Sequence, residues 1–399
     1  MGLIVQKYGG TSVADPDRIH AVADNVAITR RRGDDVIVVV SALGKATDNL
    51  ISLADRVSRT QPGREMVMLL TSGERQTAAL MTMALADRGI EAVSYTGSQV
   101  GIITDTAHRK AKILEVKGDR VRQSLSEGKV CVIAGFQGVS TAKEITTMGR
   151  GASDLTASAL AQAMDADACE IYTDVTGVFT ADPRIVPQAR KLNKIHFDEM
   201  LEMAGAGSKV LALRSVEFAR NHDVQLHVRS AFTWEQGTWV SNEEPSMEDP
   251  VISGVVTDMA EAKVTILGVP DRPGISAALF EPLADANVNV DMIVQNTSTD
   301  GTTDISFTMP MADMAEAEDL VKKVADDIGA TGVTHDNEIA KVSLVGAGMK
   351  SSPGIAARMF RVLADEGVNI EMISTSTIRV SVAVSYTHLR AHETMTGIS

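Results

Sequence analysis

The first 240 residues alternate in character. Short runs of branched apolar residues read as strands at Leu3–Val5, Val36–Ser41, Ala92–Tyr95, Val130–Ala134, Glu170–Thr173 and Gln225–Val228. Helical patterns read between most of them, for example at Asp17–Arg31, Arg64–Arg88, Asp119–Glu127, Ser153–Met164 and Ser208–Asn221. Strands that alternate with helices are connected by crossovers and lie parallel, so the region is restricted to an α/β layered fold around a mostly parallel sheet. Ligands of such sheets sit off the carboxyl ends of the strands, and the polar residues that follow each strand are the ones to inspect.

The first of these is Lys7-Tyr8-Gly9-Gly10-Thr11-Ser12, followed by Asp15-Pro16-Asp17 as a helix start. Glycines let backbone N–H groups approach an anion, a helix start adds partial positive charge, and Lys7 would bring a full charge to a phosphoryl group. The lysine precedes the glycines, so this is not a Walker A loop, and by itself the stretch reads equally as an ordinary turn. Ser41 ends the second strand. Thr47 and Asp48 follow it, where capping of the next helix would explain them as well as binding does. Gly73 and Glu74 interrupt a helical stretch, which points to close approach of a ligand there, with a solvated Glu74 as the plain alternative. Gly149-Arg150-Gly151-Ala152-Ser153-Asp154 holds both signs of charge at a helix start: a guanidinium can grip a carboxylate, a carboxylate can hold an ammonium, and a zwitterionic amino acid needs both. An N-cap role for Ser153 and Asp154 is compatible with that. The polar turn from Thr173-Asp174 through Phe179-Thr180-Ala181-Asp182-Pro183-Arg184 suits a base and ribose, with Arg184 toward phosphates. Lys209 reads as opening a helix, an awkward place for a cation unless an anion lies beside it.

Beyond a polar stretch at 242–250, the sequence repeats. Lys263-Val-Thr-Ile-Leu-Gly matches Lys341-Val-Ser-Leu-Val-Gly, 78 residues on, and Pro273-Gly274-Ile275 matches Pro353-Gly354-Ile355, 80 residues on. Leu283 to Ile293 likewise matches Leu363 to Ile373. Each copy reads strand, Pro-Gly turn, helix, strand, strand; only the first continues into a second helix. The expected organisation is therefore a catalytic region at 1–241, a linker at 242–250, a first repeat at 251–334, an incomplete second repeat at 335–384, and an anomalous tail at 385–399 that fits neither helix nor strand.

The net charge of −14 and an aromatic content of 4% argue against nucleic acid as a partner. No apolar run is long enough to span a membrane and no signal peptide is legible, so the expected location is the cytoplasm. Cys131 and Cys169 lie inside apolar runs and read as buried thiols. The eight histidines show no metal spacing, and no metal ligands are assigned; Mg²⁺ would be held largely by ATP phosphates.

Taken in order, Lys7-Tyr-Gly-Gly-Thr-Ser, Ser41-Ala-Leu-Gly, Gly149-Arg-Gly-Ala-Ser-Asp154, Tyr172-Thr-Asp174, Phe179-Thr-Ala-Asp-Pro-Arg184 and Gly207-Ser-Lys209 resemble aspartate kinases, and the repeat resembles their paired ACT domains. The likeness covers roughly Met1 to Val384 and is nearest to the monofunctional actinobacterial type. It implies an amino-acid-kinase α/β/α sandwich followed by two α+β, ferredoxin-like ACT domains, the second truncated. It implies Mg-ATP-dependent phosphorylation of the aspartate side chain to 4-phospho-L-aspartate, the first step toward lysine, threonine and methionine. By the same resemblance, Lys7, Lys209, Arg150 and Asp154 would be the catalytic groups. ATP would meet Lys7, Tyr8, Gly9, Gly10, Thr11, Thr173, Asp174, Phe179, Thr180, Asp182, Pro183, Arg184 and Lys209. Aspartate would meet Ser41, Thr47, Glu74, Arg150, Gly151, Ser153 and Asp154. Lysine and threonine, as effectors, would meet Asp271, Gly274, Ile275, Asn289, Asp291, Gln295, Asn296, Asn369 and Glu371. The family also implies a homo-oligomer, or a hetero-oligomer with a short ACT-only subunit started internally, here at Met247. Ala152 and Ala46 depart from the family's usual Gly and Thr. The competing reading is an amino-acid sensor with a decayed kinase region, which the intact Lys7, Arg150, Asp154 and Lys209 argue against.

Overall fold

The structure, a computed structural model, describes residues 2–149, 151–243, 251–286, 288–296, 301–350 and 352–385. They form two units. The first comprises Met1–Val178, Lys191–Ala204 and Lys209–Ser246; the second comprises Phe179–Arg190, Gly205–Ser208 and Met247–Ser399. Arg150, Met247, residues 244–250 and the tail from 386 lie outside the described residues.

The first unit is built on an eight-stranded sheet, in the order Lys194–His196, Thr238–Ser241, Leu226–Ser230, Ala168–Thr173, Leu3–Tyr8, Asp35–Val40, Val130–Ala134, Ala92–Tyr95. From Leu226–Ser230 to Ala92–Tyr95 every pairing is parallel; Thr238–Ser241 runs antiparallel to its neighbour Leu226–Ser230. The first strand runs past the apolar run Leu3–Val5 to Tyr8 because it has a parallel partner on each side, with Lys7 in register with Val39 and Ile171. The chain leaves this strand for Asp35–Val40 on one side, and Ala168–Thr173 is added on the other. The carboxyl end of Leu3–Tyr8 is thus a topological switch point, where a crevice opens between diverging connections.

Side chains alternate across the sheet, so Gln6 and Tyr8 face one way and Lys7 the other. On the Tyr8 side lies helix Pro16–Arg31, started by Pro16 and capped by Asp15, which accepts the Arg18 N–H at 2.9 Å. Its Ile19, Val22, Ala23 and Val26 join Val36, Val38, Val40, Met81 and Leu85 in the core. A polar network is buried on the same side. Glu170 accepts from Gln6 (2.9 Å), Tyr172 (2.9 Å) and Arg229 (2.8 Å), and Tyr172 stacks on Tyr8 at 4.7 Å. Burial would raise the Glu170 carboxyl, but His227, Arg229 and Gln6 together hold it down at about 2. On the Lys7 side lies helix Ala152–Ala163, buried throughout its first ten residues and packed on helix Leu213–Asn221.

Two helices differ from the sequence reading. Arg64–Arg88 is broken at Thr71 into Gly63–Leu70 and Ser72–Ala86, and the Ser208–Asn221 helix begins only at Leu213. A small sheet of Ile102–Thr104, Ile113–Val116, Gln137–Ser140 and Ile145–Thr147 was not legible, its strands being three or four residues long. Both cysteines are buried, as expected, and burial pushes the Cys131 thiol up to about 12.

The second unit holds two four-stranded sheets. The first repeat orders Asp291–Gln295, Thr302–Pro310, Glu261–Pro270 and Gly332–Asp336, all antiparallel, with helices Ile275–Asp285 and Met314–Ile328. This is the ferredoxin-like arrangement expected. The second repeat contributes Ile339–Val345, Ile370–Thr375, Arg379–Ser385 and helix Ile355–Asp365. Its fourth strand position is filled from elsewhere. Gly254–Asp258, which the sequence reading grouped with the first repeat, pairs antiparallel with Ile339–Val345, Gly254 opposite Val345 and Asp258 opposite Lys341. Every residue of Ile339–Val345 is buried, and an unpaired edge there would leave its N–H and C=O groups unsatisfied. Equivalent glycines enter the two repeat helices, Gly274 at φ +89° and Gly354 at φ +94°.

Candidate active site

At the switch point of the first unit the Lys7 ammonium lies 2.6 Å from Asp154 Oδ1, the two side chains 12% and 9% exposed. Asp154 stands in the first turn of helix Ala152–Ala163, yet it does not cap that helix. The N-cap is Gly151, with no side-chain cap bond, and Asp154 Oδ2 instead accepts the Ala212 N–H at 3.3 Å. Ser153, its neighbour, shares a hydrogen bond of 2.8 Å with Ser41 at the end of the second strand. Lys7, Ser41, Ser153 and Asp154 are thus brought together from three elements, at the place the alternation pointed to.

Around them the glycine turn is ordered by backbone bonds. The Gly9 N–H donates to Tyr172 O at 3.3 Å, Gly44 N–H to Gly10 O at 3.0 Å and Ser41 N–H to Tyr8 O at 3.1 Å. Gly10–Val13 forms a short 3₁₀ turn whose Thr11 is exposed. Tyr8, expected at the nucleotide, has its ring in the opposite core, its hydroxyl receiving the Asn25 amide N–H at 2.8 Å. Only its backbone faces the turn, because strand alternation sends Lys7 and Tyr8 to different faces.

Glu74 is buried beside the second strand end. A Cβ on Gly73 would fall 2.8 Å from the Ala42 Cβ, so close approach of Ala42, rather than of a ligand, accounts for this glycine. Burial pushes the Glu74 carboxyl up to about 7, against the opposing N–H groups of Glu74 itself and Ala42. Its Oε2 has no hydrogen-bond partner among the described residues. Thr47 is half-buried inside helix Ala46–Val57, which has no side-chain cap, so neither Thr47 nor Asp48 caps it. Thr173 donates to the exposed Asp174 at 3.1 Å. Lys209 is exposed in coil ahead of Leu213; it does not open a helix, and the opposed-dipole rationale for it falls. Arg150 lies outside the described residues.

Phe179, Thr180, Asp182, Pro183 and Arg184 fold with the second unit. Ala181 and Val186 enter the core of Ile252, Val255, Val342 and Leu344, and Val255 N–H donates to Thr180 O at 2.7 Å. Arg184 lies 2.7 Å from Asp182.

Among the residues read as effector contacts, Ile275 is core and Asp271, Gly274, Asn289, Gln295, Asn296 and Asn369 are exposed. Ser276 donates to Gln295 at 3.3 Å. Asp291 and Glu371 carry ion pairs that cross between the repeats. Lys341, its side chain 2% exposed, meets Glu261 at 3.0 Å and Asp291 at 3.1 Å; Lys263 meets Glu371 at 2.8 Å. Each repeat's strand lysine thus reaches the acid at the equivalent place in the other repeat. Burial raises the Glu261 carboxyl, whereas at Asp291 the Lys341 ammonium and the Met292 N–H overcome burial and lower it. These pairs were missed, although Lys263 and Lys341 headed the aligned segments: a lysine opening an apolar strand in both copies was the available signal.

Among the described residues no group of three or more His, Cys, Asp or Glu could hold a metal ion, and no helix is long and apolar enough to cross a membrane.

The chain matches the amino acid kinase family over residues 2–230 and ACT domains over 263–329 and 342–391. It is 52% identical over 389 residues to the aspartokinase of Corynebacterium efficiens, covering 96% of this chain and 92% of the relative. It is 52% identical over 391 residues to that of Pseudomonas aeruginosa, covering 98% and 95%. Of solved structures, aspartate kinase from Synechocystis is 43% identical with TM-score 0.56, covering 99% of this chain and 68% of that one. Escherichia coli aspartokinase III, solved with aspartate and ADP, shares the fold at TM-score 0.84, covering 99% of each chain at 24% identity; its lysine and aspartate complex has TM-score 0.76.

Proposed function

The chain belongs to the aspartokinase family, and from that premise we propose which of its groups perform the reaction of an aspartate kinase with ACT-borne allosteric control. The observation that carries the reading is the Lys7–Asp154 pair at the carboxyl end of the central parallel strand. An ammonium has three donors and no acceptor capacity, so one carboxylate partner leaves Lys7 able to meet a phosphoryl oxygen as well. Lys7 stabilises charge on the phosphoryl in flight; Asp154, anchored by the Ala212 N–H, holds Lys7 in place. Gly9, Gly10 and Thr11 line the phosphate path. Ser41, Ser153 and Arg150 hold aspartate, with Glu74 and Thr47 at its margin, so that a side-chain carboxylate oxygen attacks the γ-phosphorus as the bond to ADP breaks. Lys209, Thr173 and Asp174 complete the nucleotide contacts in this reading. A Mg²⁺ ion would arrive on the nucleotide in this reading, neutralising phosphate charge.

Lysine and threonine are the effectors in this reading. It is supported by the two ACT repeats and by the lysine complex of the Escherichia coli enzyme. A short second subunit starting at Met247 belongs to the same reading, as does a cytoplasmic, oligomeric enzyme.

The test is trapping of the acyl phosphate with hydroxylamine. Hydroxamate should form only with both ATP and aspartate, and should fall when lysine plus threonine are added. Absence of product from the wild-type chain, or full activity in Lys7→Ala, sinks the assignment; a rate unmoved by the effectors sinks the effector reading alone.

A further inference from the structure

The second residue of helix Leu213–Asn221 is Arg214, whose guanidinium spans two backbone carbonyls from different segments. Nη1 donates to Met148 O at 2.6 Å and Nη2 to Ala111 O at 3.0 Å. Met148 immediately precedes the Gly149–Gly151 turn. Ala111 closes the 105–112 loop, which is tied to the end of strand Ile145–Thr147 just before Met148: Ala111 N–H donates to Thr147 O at 3.0 Å and Thr147 N–H to His108 O at 2.8 Å. Ala111 and Met148 are both buried. One helical turn beyond Arg214, Phe218 packs against the cluster of Ala111, Met148, Ala152 and Leu155. Two residues before it, Ala212 donates its N–H to Asp154. The Ala212 methyl also lies 2.6 Å from where a Cβ on Gly151 would sit, and Gly151 is left-handed at φ +72°. The segment 212–218 therefore grips the Asp154 turn on both sides. A planar fork of donors can hold two carbonyls at fixed spacing, whereas an ammonium on a flexible stem can hold one well.

We propose that Arg214 is a positioning residue for aspartate binding, fixing through Met148 O and Ala111 O the turn that presents Ser153 and Asp154. The inference rests on the assignments made above, of Ser153 to aspartate and of Asp154 to the lysine that meets the phosphoryl group. A shift of about 1 Å in a positioning element is enough to cost on the order of a hundredfold in rate, so even partial release of this turn is measurable.

The experiment compares the full-length wild type with Arg214→Ala, Arg214→Lys and Asp154→Asn, measuring kcat, KM for aspartate, KM for ATP and the thermal midpoint. Arg214→Ala should raise KM for aspartate about tenfold with KM for ATP within about twofold of wild type, and Arg214→Lys should raise KM for aspartate about threefold. Should Arg214→Ala fail to fold, Arg214→Lys carries the test, since it keeps charge and stem and loses only the fork. A KM for aspartate within twofold of wild type in the folded variants overturns the proposal. So does an equal rise in both KM values, which a merely structural role would produce. If Asp154→Asn leaves kcat and both KM values unchanged, the site assignment fails and takes the proposal with it. An impaired Asp154→Asn beside a silent Arg214 pair ends the proposal alone.

Discussion

Lys7 and Lys341 are both lysines on β-strands with carboxylates within about 3 Å, and they sit in opposite settings. Lys7 sits at the carboxyl end of a parallel strand, 12% exposed, with one acid partner and a glycine turn beside it. Lys341 sits within an antiparallel strand, 2% exposed, enclosed by acids from the other repeat. The first pair leaves two donors at a crevice that an anion can enter; the second has two of its three donors taken by acids, is closed off from solvent, and joins two modules. On the reading proposed above, location in the sheet, not the identity of the pair, separates a reactive cation from a structural one.

The comparison breaks most visibly if Lys7 is removed. Lys7→Ala should lower kcat by about 10³-fold or more while costing less stability than Lys341→Ala, because it strands one buried carboxylate that keeps the Ala212 N–H, where Lys341→Ala strands two. Steady-state kinetics and denaturant unfolding on one preparation decide it; a large stability loss would make Lys7 a second Lys341. Lys341→Ala should do the reverse, destabilising the second unit by about 3–5 kcal/mol because two carboxylates are left without their cation. Urea unfolding should show this loss in the variant, and a cost under about 1 kcal/mol would contradict it.

Glu74 sharpens the contrast, as a buried acid of the first unit with no cation of its own. Its folded pKa, about 7, lies above the unfolded value of 4.5, so the protonated form is the one folding favours. Stability from that proton is fully present below pH 4.5 and is lost as pH rises through 7. Glu74→Gln should therefore be neutral near pH 5 and should stabilise the chain at pH 8 by about 1–3 kcal/mol, read as a difference in thermal midpoint. An equal effect at both pH values would show that packing, not ionisation, is involved. The smallest effect belongs to Lys263→Ala. This pair is the partly exposed twin of the Lys341 cluster, at 23% and 20%, and should cost only about 1 kcal/mol or less. A loss matching that of Lys341→Ala would mean the two crossed bridges are equivalent after all.

The sheet strands, the helix start at Asp15-Pro16-Asp17 and the repeat could be read along the chain, because each is written in local periodicity or in turn chemistry. Ser41, Ser153, Asp154 and Lys7 could be singled out as residues following strands or opening a helix. What could not be read was their pairing, since Lys7 and Asp154 are far apart in sequence and meet only because the first strand and helix Ala152–Ala163 lie on the same sheet. Tyr8 and Gly73 were misjudged for a related reason: sitting in the right motif does not say which way a side chain points or what backs onto it. Arg214 carried no motif at all, because carbonyl acceptors leave no mark on the sequence.

Chain order and residue type alone determined a parallel α/β region followed by a duplicated α+β module, since hydrophobic period and glycine placement act over a few residues; the aspartate kinase chemistry came from the resemblance of the ordered motifs to that family. Tertiary structure decided the rest. It took Gly254–Asp258 from ahead of the first repeat to finish the sheet of the second, drew 179–190 into the second unit, and crossed the lysines of the two repeats. Each of those outcomes satisfies a buried edge, core or charge with a partner that is distant in sequence, and no local pattern records which distant partner will be nearest.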